Sequence, residues 1–581
     1  MSEARDRRSS AIEAAAALLV DAFDDYNARF SDITRRAVRH FKRRDWTRQG
    51  RDATDRIRLY DDCIAETIGR LEGALAERLL SRPLWLDIHD RYGALIADRL
   101  DAELYKTFFN TVNRRLFKTR GVDAGVEFVA LDIEPTAHIT RPVDRRIYGL
   151  ADDPVDACRR LLTEPDLGLG DDALETGAVA LAERLNETLA DDGGPLAIEL
   201  MSVPFFRDRR AYRIGRVIAA DRWRPCVIAL DHPEEGVRVD AVLLDRTAVS
   251  ILFGFTYSYF HADLPTVGDA IVFLRTLLPD KPVDELYTVL GRAKQGKTER
   301  YRRFFHHLGV ERDDRLVEAD GKRGMVMVVF TLPSYPLVFK VVRDHFAPGK
   351  KIGRDHVLAQ YRYVFNHDRV GRLIDAQEYR HLVFARDRFD PDTLEELLNE
   401  CSRAVELRGD TVLVHHCFVQ RRVRPLDLYV REQPEDLARE ALLDYGQAVR
   451  DLARSNLFPG DLFLKNFGVT RSGRAVFYDF DEVSNVTDLN VRRVPPARSE
   501  EEEFADIPWY PVNPGDVFPE QFPRFMDLPA LHRAAFHEAH GELFDPDWWS
   551  ALKQRLIERP DADVRPYPEA ARLSNTGGRE P

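Results

Sequence analysis

The chain has 581 residues, of which 44% are hydrophobic and 31% are charged. A chain of this length divides among several domain-sized cores, and its apolar fraction excludes a disordered polypeptide. The formal net charge of −13 provides no overall positive field for nucleic acid or for an anionic membrane surface. We therefore expect a globular protein of more than one domain, with no nucleic-acid partner and no membrane partner.

The cysteines and the apolar runs indicate the compartment. The five cysteines are scattered, without a CxxC pair or the spacing of a metal site: Cys63, Cys158, Cys226, Cys401 and Cys417. Such a sparse, odd set is typical of reduced thiols in a cytosol. The apolar run at 14–20 lacks a signal-peptide cleavage site, and no run approaches the roughly 20 residues that span a bilayer. We predict a cytoplasmic protein.

The first half of the chain is predicted to be mostly helical, with one sheet. From Ser10 to about Ile133, apolar residues recur at three- and four-residue steps, which is typical of amphipathic helices. Short β-branched runs near 195–255 predict a small sheet, and its last strand is expected over 248–255. Helices are predicted again over 267–278 and 283–308.

A second block begins near Arg312. Its predicted elements are strands over 325–332 and 337–342, a helix over 354–376, a strand over 411–419 and a helix over 435–454. A small sheet followed by helices predicts a two-lobed α+β domain. We therefore divide the chain into 1–310 and 311–581, and the second part into a small lobe over 311–420 and a large lobe over 421–581.

The strongest signal for chemistry is FPGDLFLKNFGVTRSGRAVFYDFDEV, residues 458–483. Asp461 and Asn466 lie five positions apart, and Asp479 follows thirteen positions after Asn466. Protein kinases use H-R-D-x-x-x-x-N followed by D-F-G, with the same interval between Asp and Asn. The apolar runs on both sides of the turn at 471–474 predict a hairpin that holds Asn466 beside Asp479.

These residue types suit phosphoryl transfer, which requires mainly positioning and neutralisation of charge. Asp461 is the candidate that orients the attacking hydroxyl and accepts its proton. Asn466 and Asp479 offer hard oxygen ligands for Mg²⁺ or Mn²⁺ on the phosphates of ATP or ADP. The alternative is a surface hairpin that carries ordinary acidic residues.

A lysine and a loop upstream complete the predicted nucleotide site. Lys340 ends the apolar strand PLVFK, like the lysine of V-A-I-K that binds the α- and β-phosphates. A buried ammonium without a partner is costly, and a bound triphosphate is a natural partner. The preceding loop has two glycines that let backbone N–H groups approach phosphate, although such a loop is also typical of an ordinary turn. Its residues are Ala319, Asp320, Gly321, Lys322, Arg323, Gly324 and Met325.

The motif departs from the ordinary kinase pattern. Pro459 and Gly460 stand where His and Arg are expected, and Asp481 stands where Gly is expected. No A-P-E segment follows, and no glutamate can be assigned as the partner of Lys340. Asp481 could activate water for the reverse, hydrolytic reaction, or it could cap the following turn.

Two other functions stay open. Gly291–Thr298 satisfies the P-loop pattern G-x-x-x-x-G-K-[ST], which would indicate a P-loop ATPase. A P-loop follows a buried strand, whereas Val283, Leu286 and Leu290 recur at helical spacing before this segment. The second alternative is a kinase-like module that senses nucleotide without catalysis, although the intact Asp461, Asn466 and Asp479 argue against it.

Together these segments resemble the bacterial isocitrate dehydrogenase kinase/phosphatase family. The resemblance covers most of the chain and is dense from about Leu286 to Phe522. It is carried by KQGKTERYR, RGMVMVVFTLPSYPLVFKVVRDHFAP, HDRVGRLIDAQEY, FPGDLFLKNFGVTRSGRAVFYDFDEV and WYPVNPGDVFPEQF. It implies a helical regulatory domain over 1–310 and a kinase-like catalytic domain over 311–581.

The resemblance also implies an activity and its residues. One site would phosphorylate a serine of isocitrate dehydrogenase with ATP and remove the phosphate again, and so control flux between the citric acid cycle and the glyoxylate bypass. An adenine-nucleotide effector is implied, and a homodimer is a candidate assembly. The family's nucleotide-binding stretch falls on 319–325 with Lys340, and its active-site aspartate falls on Asp375. From the pattern alone, Asp375 ends a predicted helix, where an aspartate more often caps a helix or lies on the surface.

Overall fold

The computed structural model describes residues 2–119, 121–137, 139, 143–254, 259–346, 353–365, 370–496, 510–558 and 565–573. These residues form two compact units. The first contains residues up to 254, residues 259–311 and residues 567–573, and the second contains the described residues between 312 and 566. The sequence-based boundary kept 567–573 with the second block. In the structure, Arg210 donates a hydrogen bond of 3.0 Å to the hydroxyl of Tyr567, which in turn donates to Asp240 in the first unit.

The first unit is mostly helical, as predicted. Its helices are α1 (Ser2–Arg43), α2 (Trp46–Leu75), α3 (Arg82–Ile96), α4 (Ala102–Phe117), α5 (Pro154–Thr163), α6 (Asp171–Leu189), α7 (Arg246–Leu252), α8 (Val267–Leu277), α9 (Val283–Val289) and α10 (Ala293–Val310). The apolar faces of α1–α4 meet in one core, which contains the buried rings of Phe23, Trp85 and Phe109. The helical spacing of apolar residues before Ile133 therefore reflects packing between helices.

The sheet of the first unit lies within the predicted range of 195–255, except for its first strand, which the sequence did not predict. Its strands are β1 (Arg145–Gly149), β2 (Pro195–Met201), β3 (Phe205–Arg207), β4 (Arg210–Ala219), β5 (Trp223–Asp231) and β6 (Arg238–Leu243). They pair antiparallel in the order β1-β2-β4-β5-β6, with β3 also on β4. The strand predicted over 248–255 is wrong, because 246–252 is helical and the Asp245 carboxylate accepts a hydrogen bond from the backbone N–H of Ala248. The helix predicted over 283–308 is interrupted between α9 and α10 at Gly291, where φ is +84°.

The second unit begins with a small-lobe sheet. The first strands of the unit are β7 (Val317–Glu318), β8 (Met327–Thr331), β9 (Leu337–Val342), β10 (Ala376–Tyr379), β11 (Leu382–Ala385), β12 (Val405–Arg408), β13 (Thr411–Val414) and β14 (Cys417–Arg421). Five of them pair antiparallel in the order β10-β14-β9-β8-β7, so β9 with Lys340 lies at the centre of the sheet. The strand predicted over 411–419 is divided between two sheets, as β13 and β14.

The long helix predicted over 354–376 is also wrong at its C-terminal end. Helix α11 covers Arg354–Phe365, residues 366–369 lie outside the described residues, and β10 begins at Ala376. Gly371 has a φ of +62°, which a helix does not allow. Beyond it, the backbone N–H of Ile374 donates to the carbonyl of Phe477 at 3.1 Å. Pairing with a distant strand therefore overrides the local helical pattern.

The remaining elements form the large lobe, together with α12 (Pro391–Glu400), which belongs to the small lobe. The large-lobe elements are β15 (Arg424–Pro425), α13 (Leu426–Glu432), α14 (Glu435–Arg454), β16 (Leu457–Phe458), β17 (Phe467–Val469), β18 (Ala475–Phe477), β19 (Ser484–Asn485), β20 (Asn490–Val491), β21 (Asp516–Val517), α15 (Phe522–Phe525), α16 (Arg533–His540) and α17 (Pro546–Glu558). Helix α14 has the bounds predicted for it, with Glu435 in its first turn and Arg454 in its last, as the helix dipole favours. A helical first unit followed by a two-lobed unit confirms the predicted α+β fold class.

Among the described residues, no helix is long and apolar enough to cross a membrane. All five cysteines are buried and form no disulfide.

Candidate active site

A cleft of about 590 Å³ in the second unit brings most of the predicted site residues together. Strands β7, β8 and β9 line one part of it, and the segments around the β17–β18 hairpin line another. The predicted residues in its wall are Ala319, Asp320, Gly321, Lys322, Arg323, Gly324, Met325, Lys340, Asp461, Asn466, Asp479 and Asp481. Asp375 is absent from this wall.

The predicted phosphate loop connects β7 to β8. The loop closes where the backbone N–H of Ala319 donates to the carbonyl of Val329 at 3.0 Å. Gly321 has a φ of +120°, and a Cβ at Gly324 would lie 2.7 Å from the carbonyl oxygen of Met327. Neither position accommodates a side chain without strain, so both glycines are required by the turn itself.

Charged groups of this loop already have protein partners. Arg323 donates to Glu396 of α12 at 2.9 Å, and Arg424 donates to Asp320 at 2.6 Å. In the described part of the chain, Lys322 has no ion pair and lines the cleft. Lys322 is therefore the loop cation that remains available to a ligand.

Lys340 projects from the central strand into the cleft and is only 6% exposed. Its ammonium donates to the carbonyl oxygen of Tyr478 at 2.7 Å and lies 4.9 Å from the centre of the Tyr478 ring. A weaker hydrogen bond of 3.5 Å reaches the hydroxyl of Tyr361 on α11. The hydrogen-bond partners of this ammonium are thus the carbonyl of Tyr478 and the hydroxyl of Tyr361.

Burial and nearby carboxylates act on Lys340 in opposite directions. Loss of hydration lowers the pKa of Lys340 to about 8, although Asp479 and Asp481 favour the charged form and raise it. Both carboxylates are therefore close enough to Lys340 to stabilise its positive charge. A bound polyanion would stabilise the ammonium further and raise the pKa of Lys340.

The segment before Asp461 is fixed by a glycine. Gly460 has a φ of +81°, and a Cβ there would lie 2.6 Å from the carbonyl oxygen of Glu482. This close approach holds Asp461 beside the segment that carries Asp479 and Asp481. The Nδ2 of Asn466 donates to the backbone carbonyl of Asp461 at 3.3 Å. The close backbone packing at Gly460 therefore explains why glycine stands here, where the kinase motif has arginine.

The hairpin aligns the two predicted metal ligands. Phe467 lies opposite Phe477 in the register, and the backbone N–H of Tyr478 donates to the carbonyl of Asn466 at 3.1 Å. Phe480 is buried against Phe477, with ring centres 5.6 Å apart. With Phe480 turned into the core, Asp479 and Asp481 both line the cleft, because alternate residues of an extended segment face the same side.

Asp375 lies behind this hairpin. The backbone N–H of Phe477 donates to the carbonyl of Arg372 at 2.7 Å, so the segment before β10 runs beside β18. The side chain of Asp375 is buried, and the Nε2 of Gln377 donates to it at 2.9 Å. Asp375 is therefore a buried neighbour of the β17–β18 hairpin, not the helix cap that the pattern predicts.

Several residues of the cleft wall were not predicted from the sequence. They are Tyr361, Gln420 and Lys465, together with Arg343, which contacts Glu396 at 2.5 Å. Lys465 could have been noticed, because it directly precedes Asn466. Tyr361 lies on α11, Gln420 lies on β14, and Arg343 directly follows β9. No local motif marks them, because only the tertiary fold brings their side chains to one cleft.

The P-loop interpretation is wrong. The segment before Gly291 is helix α9, not a strand, and Gly296 lies inside helix α10. A Cβ at Gly296 would lie 2.2 Å from the Oγ1 of Thr288, so this glycine allows α9 and α10 to pack closely. The segment that matches G-x-x-x-x-G-K-[ST] is therefore a connection between two packed helices and not a phosphate-binding loop.

A central-strand lysine, a glycine loop and the Asp–Asn–Asp set in one cleft define a protein-kinase-like phosphotransferase site. Comparison with known proteins identifies which kind. Residues 314–569 match the kinase domain of isocitrate dehydrogenase kinase/phosphatase (AceK), and residues 16–312 match its regulatory domain. The chain belongs to the isocitrate dehydrogenase kinase/phosphatase family.

Individual relatives agree over nearly the whole length. The isocitrate dehydrogenase kinase/phosphatase of Xanthomonas euvesicatoria pv. vesicatoria is 51% identical over 98% of both chains. That of an Anaeromyxobacter species is 42% identical over 96% of this chain and 98% of its own. Among solved structures, the ROP18 kinase domain matches with a TM-score of 0.22 and 12% identity, over 42% of this chain and 80% of that chain. An overlap this low does not bear on the site.

Proposed function

We propose that this chain uses ATP to phosphorylate a serine of isocitrate dehydrogenase and removes the phosphate again, and so controls flux between the citric acid cycle and the glyoxylate bypass. The observation that supports the proposal most strongly is the meeting of Lys340 and the Asp–Asn–Asp set in one cleft. The family relationship supplies the substrate. The first unit is assigned as the regulatory domain and the second as the catalytic domain.

Each residue has a proposed role in the forward reaction. Asp461 orients the serine hydroxyl and takes its proton as the oxygen bonds to the γ-phosphorus and the bond to ADP breaks. Lys340, the loop amides of 319–325 and Lys322 bind the phosphates. Asn466 and Asp479 are proposed to hold Mg²⁺ or Mn²⁺, because amide and carboxylate oxygens are hard ligands. Such a cation, when bound, supplies neutralisation of phosphate charge.

The reverse reaction needs a base for water. Asp481 is the candidate, because it lines the cleft two residues beyond Asp479 and has no counterpart in D-F-G. Asp375 remains a second candidate through the family relationship. Its burial behind the hairpin favours a role through the position of Asp479. Control by an adenine-nucleotide effector, a homodimeric assembly and a cytoplasmic location belong to the same proposal, and the five unbonded cysteines support the last.

A transfer assay tests the proposal. Purified protein is incubated with isocitrate dehydrogenase and ATP labelled at the γ-phosphate, and then chased with ADP and unlabelled acceptor. The wild type should label isocitrate dehydrogenase, and the chase should release the label. Asp479→Ala should transfer none, whereas Asp410→Ala, at an exposed turn, is the matched control and should behave as wild type. Transfer by Asp479→Ala at the wild-type rate would refute the assignment.

A further inference from the structure

Gln420 is a buried polar residue of the cleft that no part of the proposed mechanism uses. It is 1% exposed, and it lines the cleft near the end of β14. In the part of the chain that the structure describes, its buried Nε2 has no hydrogen-bond acceptor. A buried amide donor without a partner is unfavourable by an amount comparable to a lost hydrogen bond, so such groups in native proteins call for an explanation.

The register shows where Gln420 lies relative to the phosphate-binding lysine. Phe418 of β14 is opposite Lys340, and Gln420 is opposite Val338. Residues directly opposite each other, and residues two apart on one strand, share a face of the sheet. Gln420 therefore faces the cleft on the same side as Lys340, about 7 Å further along the strand. Gln420 is the second-last residue of β14.

The surroundings of Gln420 suit a nucleobase. Val338 lies opposite Gln420 in the register, and Val329 and Val423 line the same cleft. A flat ring between aliphatic side chains buries its faces and leaves only its edge in need of hydrogen bonds. A side-chain amide offers one donor and one acceptor side by side. This pair matches the exocyclic amino group and the adjacent ring nitrogen of adenine, as glutamine matches adenine in nucleic-acid recognition.

We propose that Gln420 reads the base of the nucleotide, with its amide paired to the amino group and neighbouring ring nitrogen of adenine. The inference rests on the proposed use of ATP and adds a specificity-determining residue to it. Pairing with the base would then satisfy the buried donor of Gln420.

The test compares two nucleotides in three proteins. ATP and purine riboside triphosphate differ only in the amino group of the base. Their dissociation constants are measured by displacement of a fluorescent nucleotide from wild type, Gln420→Met and the control Gln554→Met. Methionine keeps the length of glutamine and removes both polar atoms, and Gln554 is exposed on α17. If Gln420→Met does not fold, Gln420→Leu replaces it.

The expected result is a coupling between residue and base. Wild type and Gln554→Met should bind ATP roughly three- to tenfold more tightly than the analogue, which is the range for one hydrogen bond. In Gln420→Met this ratio should fall to about one, and the nucleotide-free variant should melt at a higher temperature than wild type. An unchanged ratio in Gln420→Met, or equal weakening of both nucleotides, would overturn the inference and leave the proposed function intact. Failure of wild type to bind ATP at all would overturn both.

Discussion

Lys340 should make nucleotide binding depend on pH in a range where few other groups titrate. Burial holds the pKa of Lys340 at about 8 in the nucleotide-free protein. Between pH 7 and pH 9 its protonated fraction falls from roughly nine-tenths to one-tenth. A bound polyphosphate stabilises the ammonium, so binding above pH 8 requires uptake of a proton.

The size of the effect follows from this pKa. If Lys340 stays protonated in the complex, the dissociation constant for Mg·ADP should be about tenfold larger at pH 9 than at pH 7. At pH 8, binding should take up about half a proton per nucleotide. Titration calorimetry in buffers of different ionisation enthalpy measures both quantities. Direct binding is preferable to activity, because turnover also depends on the acceptor protein.

Lys340→Arg is the matched control. A guanidinium keeps its charge throughout this pH range, and every other titrating group of protein and nucleotide is shared with the wild type. The pH dependence should therefore disappear in Lys340→Arg, even if its affinity is lower at every pH. Equal slopes for the two proteins, or no proton uptake by wild type at pH 8, would contradict the account of this lysine.

Three further experiments test the roles of Asp481, Gly460 and Arg372. Asp481→Ala should slow dephosphorylation of isocitrate dehydrogenase more than its phosphorylation, measured in parallel assays; equal loss of both rates would remove its special hydrolytic role. Gly460→Ala should lower the free energy of unfolding by more than the roughly 1–2 kcal/mol of left-handed backbone strain. Gly473→Ala is the control, because Gly473 has a φ of +76° but open space for a Cβ, so its substitution should cost only the backbone strain. Equal denaturant midpoints for Gly460→Ala and Gly473→Ala would refute the packing argument. Arg372→Met should destabilise the protein by roughly 3 kcal/mol, because Asp444 and Asp451 lose a buried partner at 2.7 and 2.8 Å. Arg372→Lys keeps the positive charge and should be more stable than Arg372→Met. Equal stability of the two variants would indicate that Arg372 stabilises the protein through packing and not through its charge.

The sequence was sufficient for those parts of the site that follow one another in the chain. The apolar runs on both sides of the turn at 471–474 predicted a hairpin, and the fold contains it with the register that aligns Asn466 with Tyr478. The position of Lys340 at the end of an apolar strand also indicated a cleft, since a central strand rarely buries an ammonium. Local patterns were informative here because short hairpins and strands contain most of their own contacts.

Features that depend on distant segments were not predictable in this way. Residues 370–376 follow a helical pattern, yet they pair with Phe477, about a hundred residues away. The apolar run at 248–255 is compatible with a strand or with a helix. The carboxylate of Asp245 caps the N-terminus of the helix at 246–252 and so favours the helix. Gln420 and Tyr361 carry no motif, and only the sheet register and the packing of α11 bring them to the cleft.

The central claim is that one cleft holds a metal-bound nucleotide between Lys340 and the acidic hairpin. Anomalous diffraction from crystals grown with Mn²⁺ and a non-hydrolysable ATP analogue tests it directly. The account predicts an anomalous peak at Asn466 and Asp479, phosphates next to Lys340 and the base beside Gln420. A metal peak elsewhere, or a nucleotide bound outside this cleft with Lys340 still donating to Tyr478, would contradict it.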